Sequence, residues 1–173
     1  MEIFVEEMVA KKKTAAFFAR TLGLVAACFV AVMFLMTVVT ALVPAFAPFV
    51  FLVSAAAVYG TYILITAGNV EFEYSLVNNE IDVDKIMSRR KRKRLTTANL
   101  RELEAFGTKA NPDYERYLKD PSAKKIFACE DKNADNVFFL VYNENTLKKM
   151  LIFSPGEKIT AVVARFNPKT PII

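Results

Sequence analysis

Side chains suited to catalysis are few in this chain of 173 residues. It contains no histidine and only two cysteines, so the commonest general base and metal ligand is missing, and a zinc site is not expected. Cys129 lies alone in a stretch of strand character, which is typical of a small buried side chain. Glu102 and Glu104 are two residues apart, a spacing at which carboxylates usually share the solvated face of a strand. We therefore predict no enzymatic activity, no metal and no cofactor.

The chemistry that the sequence does offer is anion binding. Six basic residues follow one another without interruption: Arg89, Arg90, Lys91, Arg92, Lys93 and Arg94. A membrane leaflet rich in anionic lipid attracts such charges by about 1 kcal/mol each, and we favour this interpretation. A solvated cluster that only sets membrane topology is the alternative. Nucleic acid is disfavoured as a partner, because the run lacks interleaved aromatic residues that would stack on bases.

The elements that must position this run begin with an uncharged stretch from Thr21 to Val70, interrupted by Pro44 and Pro48. Residues 21–43 and 48–67 each supply the roughly 20 apolar residues that cross a hydrocarbon core. Backbone groups in lipid must be satisfied within their own segment, so each half should be a helix. We predict a transmembrane helical hairpin over residues 14–68.

Charges flanking the hairpin predict its orientation. Lys11–Lys13 and Arg20 precede the first span, the basic run follows the second, and the turn between the spans has no charge. Short loops rich in Lys and Arg stay in the cytoplasm. We therefore expect a multi-pass membrane protein with both termini cytoplasmic and no cleaved signal peptide.

Small residues recur at every fourth position of the first span. The stripe consists of Ala15, Ala19, Gly23, Ala27 and Ala31, with Ala56 and Gly60 in the second span. Such stripes let helices approach closely. We favour packing within the hairpin, and a homodimer through the same stripe is the alternative.

Residues 69–173 form the predicted β domain. Apolar residues alternate from Val70 to Leu76, and Asn78-Asn79 suits a two-residue hairpin loop. Pairing across this loop sets Leu76 against Ile81, Tyr74 against Val83 and Val70 against Met87. Lys85 opposite Phe72 is a misfit that indicates a bulge or an edge. The same register places Arg89 opposite Gly68, which returns the basic run to the level of the lipid headgroups.

The other predicted elements complete a mainly-β fold with five to seven antiparallel strands. The predicted strands are 95–106, which contains an irregular turn, 125–130, 136–142 and 146–153, with a short helical turn within 111–120. A helix over about 155–167 follows, with Ser154 as N-cap and an apolar stripe of Ile159, Val162, Val163 and Phe166. Residues 1–13 are predicted to be an interfacial amphipathic helix or a frayed lead-in.

Several stretches carry a family resemblance. They are MEIFVE (1–6) with Lys11–Lys13, NVEFEYSLVNNEIDVDKI (69–86), RRKRKRL (89–95), MLIFSPGEKI (150–159) and RFNP (165–168). In these the chain resembles bacterial pleckstrin-homology-like (PH-like) domains that follow membrane spans, and more closely a family of small two-span membrane proteins of Gram-positive bacteria. The resemblance implies a PH-like domain with a capping helix, located at the bacterial cell membrane.

The resemblance and the residues together predict a function without a reaction. We expect a membrane-anchored binding or scaffold module that docks on anionic lipid through the basic run and recruits an unidentified protein partner. The alternative is a subunit of a membrane complex assembled through small-residue helix packing.

Overall fold

The computed structural model describes residues 4–131, 133–144 and 146–166. These residues form two compact units. One is helical and comprises residues 13–69, and the other joins the segment up to Lys12 with the residues from Val70 onward. We call the second unit the β domain.

The helical unit contains two long apolar helices. Its elements are α1 (Ala15–Phe34), a π-helical turn (Leu35–Val39), α2 (Thr40–Leu42), a 3-10 turn (Pro44–Phe46) and α3 (Ala47–Thr66). The side chain of Thr14 accepts a hydrogen bond from Phe17 N–H and caps α1. Pro44 begins the 3-10 turn, and Pro48 lies in the first turn of α3. Ala15–Leu42 and Pro44–Thr66 are long and apolar enough to cross a membrane, and the predicted spans lie within them except at residues 43 and 67.

The five small residues of α1 that we predicted to pack within the hairpin lie outside the shielded side of that helix, whereas Gly60 of α3 is half-buried. The shielded positions of α1 are Phe17, Thr21, Leu24, Cys28 and Val32, which are spaced three or four residues apart. In contrast, all five small residues of the α1 stripe are exposed. A Cβ atom added at Gly23 or at Gly60 would meet no atom within 4 Å. The small-residue face of α1 therefore differs from the side of the helix that is shielded.

In the part of the β domain that the structure describes there are eight strands and two α-helices. These are β1 (Phe4–Ala10), β2 (Val70–Val77), β3 (Glu80–Met87), β4 (Lys91–Asn99), β5 (Leu103–Thr108), α4 (Pro112–Lys119), β6 (Lys124–Ala128), β7 (Phe138–Glu144), β8 (Leu147–Phe153) and α5 (Glu157–Phe166). They form two four-stranded sheets, sheet A in the order β1-β2-β3-β4 and sheet B in the order β5-β7-β8-β6.

Residues 4–10 of the N-terminal segment form the first strand of the β domain, neither an interfacial helix nor a frayed lead-in. β1 pairs antiparallel with β2, from Phe4↔Val77 to Ala10↔Glu71, and its residues alternate between exposed and half-buried. Val5 and Val9 pack against the core. The predicted boundary at residue 69 therefore leaves out one strand, since the helical unit is inserted between two neighbouring strands of one sheet.

The β2–β3 hairpin has the predicted register. Leu76 pairs with Ile81, Tyr74 with Val83 and Val70 with Met87, and Asn78 adopts a positive φ of 55° in the turn. The predicted pairing of Lys85 with Phe72 is also present. The irregularity that it indicated is a register shift between Val83 and Asp84 in the next pairing, β3 with β4.

The main core lies between the two sheets and α5. Phe72, Tyr74 and Leu76 of sheet A share it with residues of sheet B and with Ile159 and Val163 of α5, both fully buried. Val162 packs at its margin, while the side chain of Phe166 lies outside the described residues. Tyr114 and Tyr117 of α4 join a second cluster with Phe139 and Ile152 of sheet B.

The structure corrects two local predictions and confirms a third. β6 runs parallel to β8, so the strands are not all antiparallel. The irregular turn predicted within the strand 95–106 is a 3-10 turn at Leu100–Glu102. Helix α5 starts after Gly156, and Ser154 does not cap it. Instead Gly156 N–H donates to a carboxylate oxygen of Glu7 on β1, 2.6 Å away, because the edge strand brings an acceptor to the positive end of the helix. The predicted helix end at Asn167-Pro168 lies outside the described residues.

Candidate anion-binding site

The basic run occupies a turn and the start of a strand, at one end of sheet A. Arg89 and Arg90 lie in the turn between β3 and β4, where Ser88 and Arg89 have φ values of 53° and 54°. The chain then reverses, so that Lys91 pairs with Met87. Arg89 therefore does not continue β3 opposite Gly68, as the hairpin register had suggested. Lys11 N–H donates to Val70 C=O over 2.9 Å, which places Lys11 and this turn at the same end of the sheet.

A β-bulge decides which way the basic side chains point. Val83 pairs with Thr96, and Asp84 pairs with Arg94, so Leu95 is the extra residue on β4. Residues paired across neighbouring strands share a face of the sheet. Arg92 and Arg94 therefore lie on the outer face with Asp84, whereas Lys91 and Lys93 lie on the face that carries the core farther along the sheet.

The outer-face arginines are engaged by carboxylates. Arg94 Nε lies 2.6 Å from Asp84 Oδ1, and Arg94 Nη1 lies 2.8 Å from Asp82 Oδ2. Arg92 contacts Glu73 and lies 3.2 Å from Asp84 Oδ2. The side chains of Glu73 and Asp84 are only 8% and 7% exposed. The hydrogen bond to Asp84 raises the pKa of Arg94 above its ordinary value. Through these ion pairs both arginines form part of a charged network within the sheet.

The other basic residues of the run differ from one another. Arg89 in the turn lies 3.3 Å from Glu71 Oε1, with an 86% exposed side chain, so that contact is weak. Arg90, Lys91 and Lys93 are exposed, and among the residues that the structure describes no carboxylate lies within ion-pair distance of them.

The structure adds Lys85 to the predicted site residues. It lies directly opposite Lys93 in the β3–β4 pairing, and it too makes no ion pair with a described carboxylate. We call Lys85, Lys91 and Lys93 the lysine face. Its sequence signal was the misfit of Lys85 opposite Phe72, a charge at a position where the alternation calls for an apolar side chain.

The residues considered for catalysis, Cys129, Glu102 and Glu104, take part in packing and hydrogen bonds within the β domain. Cys129 is buried in the second cluster, at 5% exposure. Glu104 accepts hydrogen bonds from Lys148 Nζ at 2.9 Å and Tyr117 Oη at 3.0 Å. Burial alone would raise the pKa of Glu104, but these two hydrogen bonds outweigh burial and lower it. Glu102 accepts a 3.4 Å hydrogen bond from Asn99 Nδ2. These contacts fix the β4–β5 connection and the packing of α4.

Comparison with known proteins identifies one family. The model of a family described as a bacterial PH-like domain (DUF6106) matches residues 1–172. The matched region thus includes β1, the helical unit and the rest of the β domain. No curated protein and no solved structure matches the chain significantly.

Proposed function

Because the chain belongs to the bacterial PH-like domain family (DUF6106), and PH-like domains are generally non-enzymatic binding modules, we propose that it is a membrane-anchored binding module. Its two apolar helices anchor it in the bacterial cell membrane, with both termini in the cytoplasm. Its β domain docks on anionic lipid through the basic run Arg89–Arg94 and recruits a protein partner.

One observation carries this proposal: the basic turn lies at the end of sheet A where the chain leaves for the helices and returns. Four residues, 11–14, join β1 to α1, and three residues, 67–69, join α3 to β2. A chain extends by at most about 3.5 Å per residue. If the helices span the bilayer, connections this short hold the β3–β4 turn within reach of the headgroups, where basic residues are attracted.

Fluorescence of the full chain tests the proposal. The protein contains no tryptophan, so Met87→Trp places a single donor beside the basic turn. The chain is inserted into nanodiscs that carry a dansyl-labelled headgroup lipid and are either neutral or anionic. We expect more energy transfer in anionic discs, a difference that falls with salt and vanishes when Arg89–Arg94 are all changed to Gln. Equal transfer in both discs, at low and high salt, would reject lipid docking.

A second candidate function is supported by the exposed small-residue face of α1. Ala15, Ala19, Gly23, Ala27 and Ala31 do not pack on α3, which leaves this face available to a helix of another chain. On this view the protein is a subunit of a membrane complex, or a homodimer.

Native mass spectrometry of the full chain extracted from membranes distinguishes this function from the first. We expect a co-purifying membrane protein or a second copy, lost in Gly23→Leu/Ala27→Leu and retained in Val25→Leu, which alters an exposed residue outside the stripe. An unchanged mass in the double variant would argue against assembly through this face.

A further inference from the structure

We infer that the anionic headgroup is bound by the lysine face, Lys85, Lys91 and Lys93, together with Arg90, and that Arg92 and Arg94 take no part. This inference rests on the proposed function, since it names which side chains make the lipid contact. The basic run is continuous in sequence but is divided in the fold.

The bulge at Leu95 causes the division. Without an extra residue, Arg92 and Arg94 would share a face with Thr96, which is buried and hydrogen-bonded to Tyr142. The register shift between Val83 and Asp84 turns both arginines to the outer face and Lys91 and Lys93 to the other one. Bulges commonly re-aim side chains in this way.

The outer face is unsuited to an anionic surface. Four carboxylates, those of Glu71, Glu73, Asp82 and Asp84, contact only three arginines there, Arg89, Arg92 and Arg94. A phosphate that drew Arg92 away would leave Glu73 nearly buried and without its arginine, and one that drew Arg94 away would leave the nearly buried Asp84 with Arg92 alone. Breaking such a pair is strongly unfavourable.

The lysine face has the opposite character. Lys85 and Lys93 are directly opposite each other across two strands, an arrangement in which like charges repel. Lys91 follows on the same face, opposite Met87. Because no carboxylate among the described residues pairs with these lysines, an anion placed between them would relieve the repulsion. Their flexible stems let the ammonium groups adjust to a headgroup phosphate.

The surroundings of the lysine face favour a lipid headgroup over a free phosphate ion. Val70 and Met87, paired in the last row of the sheet, are half-buried apolar residues. Val70 is also the residue at which the chain returns from the apolar helices. An apolar end row flanked by lysines suits the boundary between headgroups and acyl chains, where such lysines reach the phosphates.

Paired charge-removing variants of the full chain, in the Met87→Trp background and the nanodiscs described above, test the inference. Lys85→Gln/Lys93→Gln and Arg92→Gln/Arg94→Gln each remove two charges. A third pair, Lys124→Gln/Lys158→Gln, removes two exposed lysines remote from the turn and controls for net charge. We expect the lysine pair to lower the equilibrium constant for docking on anionic discs about fivefold per lysine removed. The arginine pair should leave this constant within about twofold of the parent value, and the remote pair should leave it unchanged.

Loss of docking in the arginine pair with retention in the lysine pair would overturn the inference while leaving the proposed function intact. Absence of any anionic-lipid dependence in the parent chain would remove both. Circular dichroism and thermal melting of each variant identify misfolding. If the arginine pair unfolds, Arg92→Lys/Arg94→Lys takes its place, and the lysine pair compared with the remote pair still decides. Inorganic phosphate added to neutral discs should not raise the energy transfer. A rise caused by phosphate alone would overturn the assignment to a headgroup.

Discussion

Strand β1 lies 60 residues before its partner strand, and its removal should destabilise the β domain severely. Two soluble chains make the comparison. One starts at Val70 and lacks β1. The other keeps residues 1–11 and joins them to Val70 through Asn-Gly, since Lys11 N–H already bonds Val70 C=O and a two-residue turn suits such a closure.

The size of the effect follows from what β1 contacts. Val5 and Val9 pack partly buried against the core, and half of the full burial energy for each amounts to about 2 kcal/mol together. Glu7 caps α5 through Gly156 N–H, and loss of such a cap costs about 1 kcal/mol. Deletion also exposes the edge of β2 beside the buried Phe72 and Leu76. We expect a loss of at least about 3 kcal/mol, a large part of the 5–15 kcal/mol typical of a domain.

Urea unfolding followed by far-UV circular dichroism measures the difference. The joined chain should unfold cooperatively, and the chain that starts at Val70 should unfold at a much lower urea concentration or remain unfolded in buffer. Equal urea midpoints of unfolding for the two chains would refute the reasoning that β1 is an integral strand of the β domain. The joined chain is then also the form suited to lipid flotation.

Three smaller predictions concern single side chains and are read by chemical unfolding. Glu7→Ala should lower the free energy of unfolding by about 1 kcal/mol through loss of the α5 cap, and an unchanged value would mean that solvent serves Gly156 equally well. Glu104 has a lowered pKa in the fold, so its contribution is present above its ordinary value of 4.5 and disappears as the pH falls through the lowered value. Glu104→Gln should therefore remove up to about 1 kcal/mol at pH 7 and reduce the slope of stability below pH 5, and parallel pH curves would contradict this. Arg94→Gln should cost about 2 kcal/mol because it removes the charged hydrogen bond to the nearly buried Asp84, which then keeps Arg92 alone, whereas Lys93→Gln should be neutral or slightly stabilising, and the reverse order would contradict the assigned faces.

The β2–β3 hairpin was predictable because two local signals agree there. Alternation from Val70 to Leu76 selects one face, and Asn78-Asn79 fixes the turn. The two apolar helices were equally accessible, since uncharged length alone selects them. Both features depend on residues close together in the chain.

Features that depend on distant residues were not predictable. β1 reads FVEEMVA, and Glu7 interrupts the apolar face because it serves as the cap of a helix that starts 150 residues later. Pairing of β1 with β2 across an inserted helical unit leaves no trace in local periodicity. The bulge at Leu95 is decided by pairing with β3, and a strict alternation would have assigned Arg92 and Lys93 to the wrong faces. The small-residue stripe shows the same limit, because spacing says which side chains align but not which helix they meet.

Lysine footprinting of the unaltered full chain tests the central claim most directly. The protein in neutral or anionic nanodiscs is acetylated briefly, and mass spectrometry reads the modification of each lysine. Docking on anionic lipid predicts that Lys85, Lys91 and Lys93 are several-fold less modified in anionic discs, that high salt abolishes the difference, and that Lys124 and Lys158 react equally in both. Equal modification of the lysine face in the two kinds of disc would contradict the account.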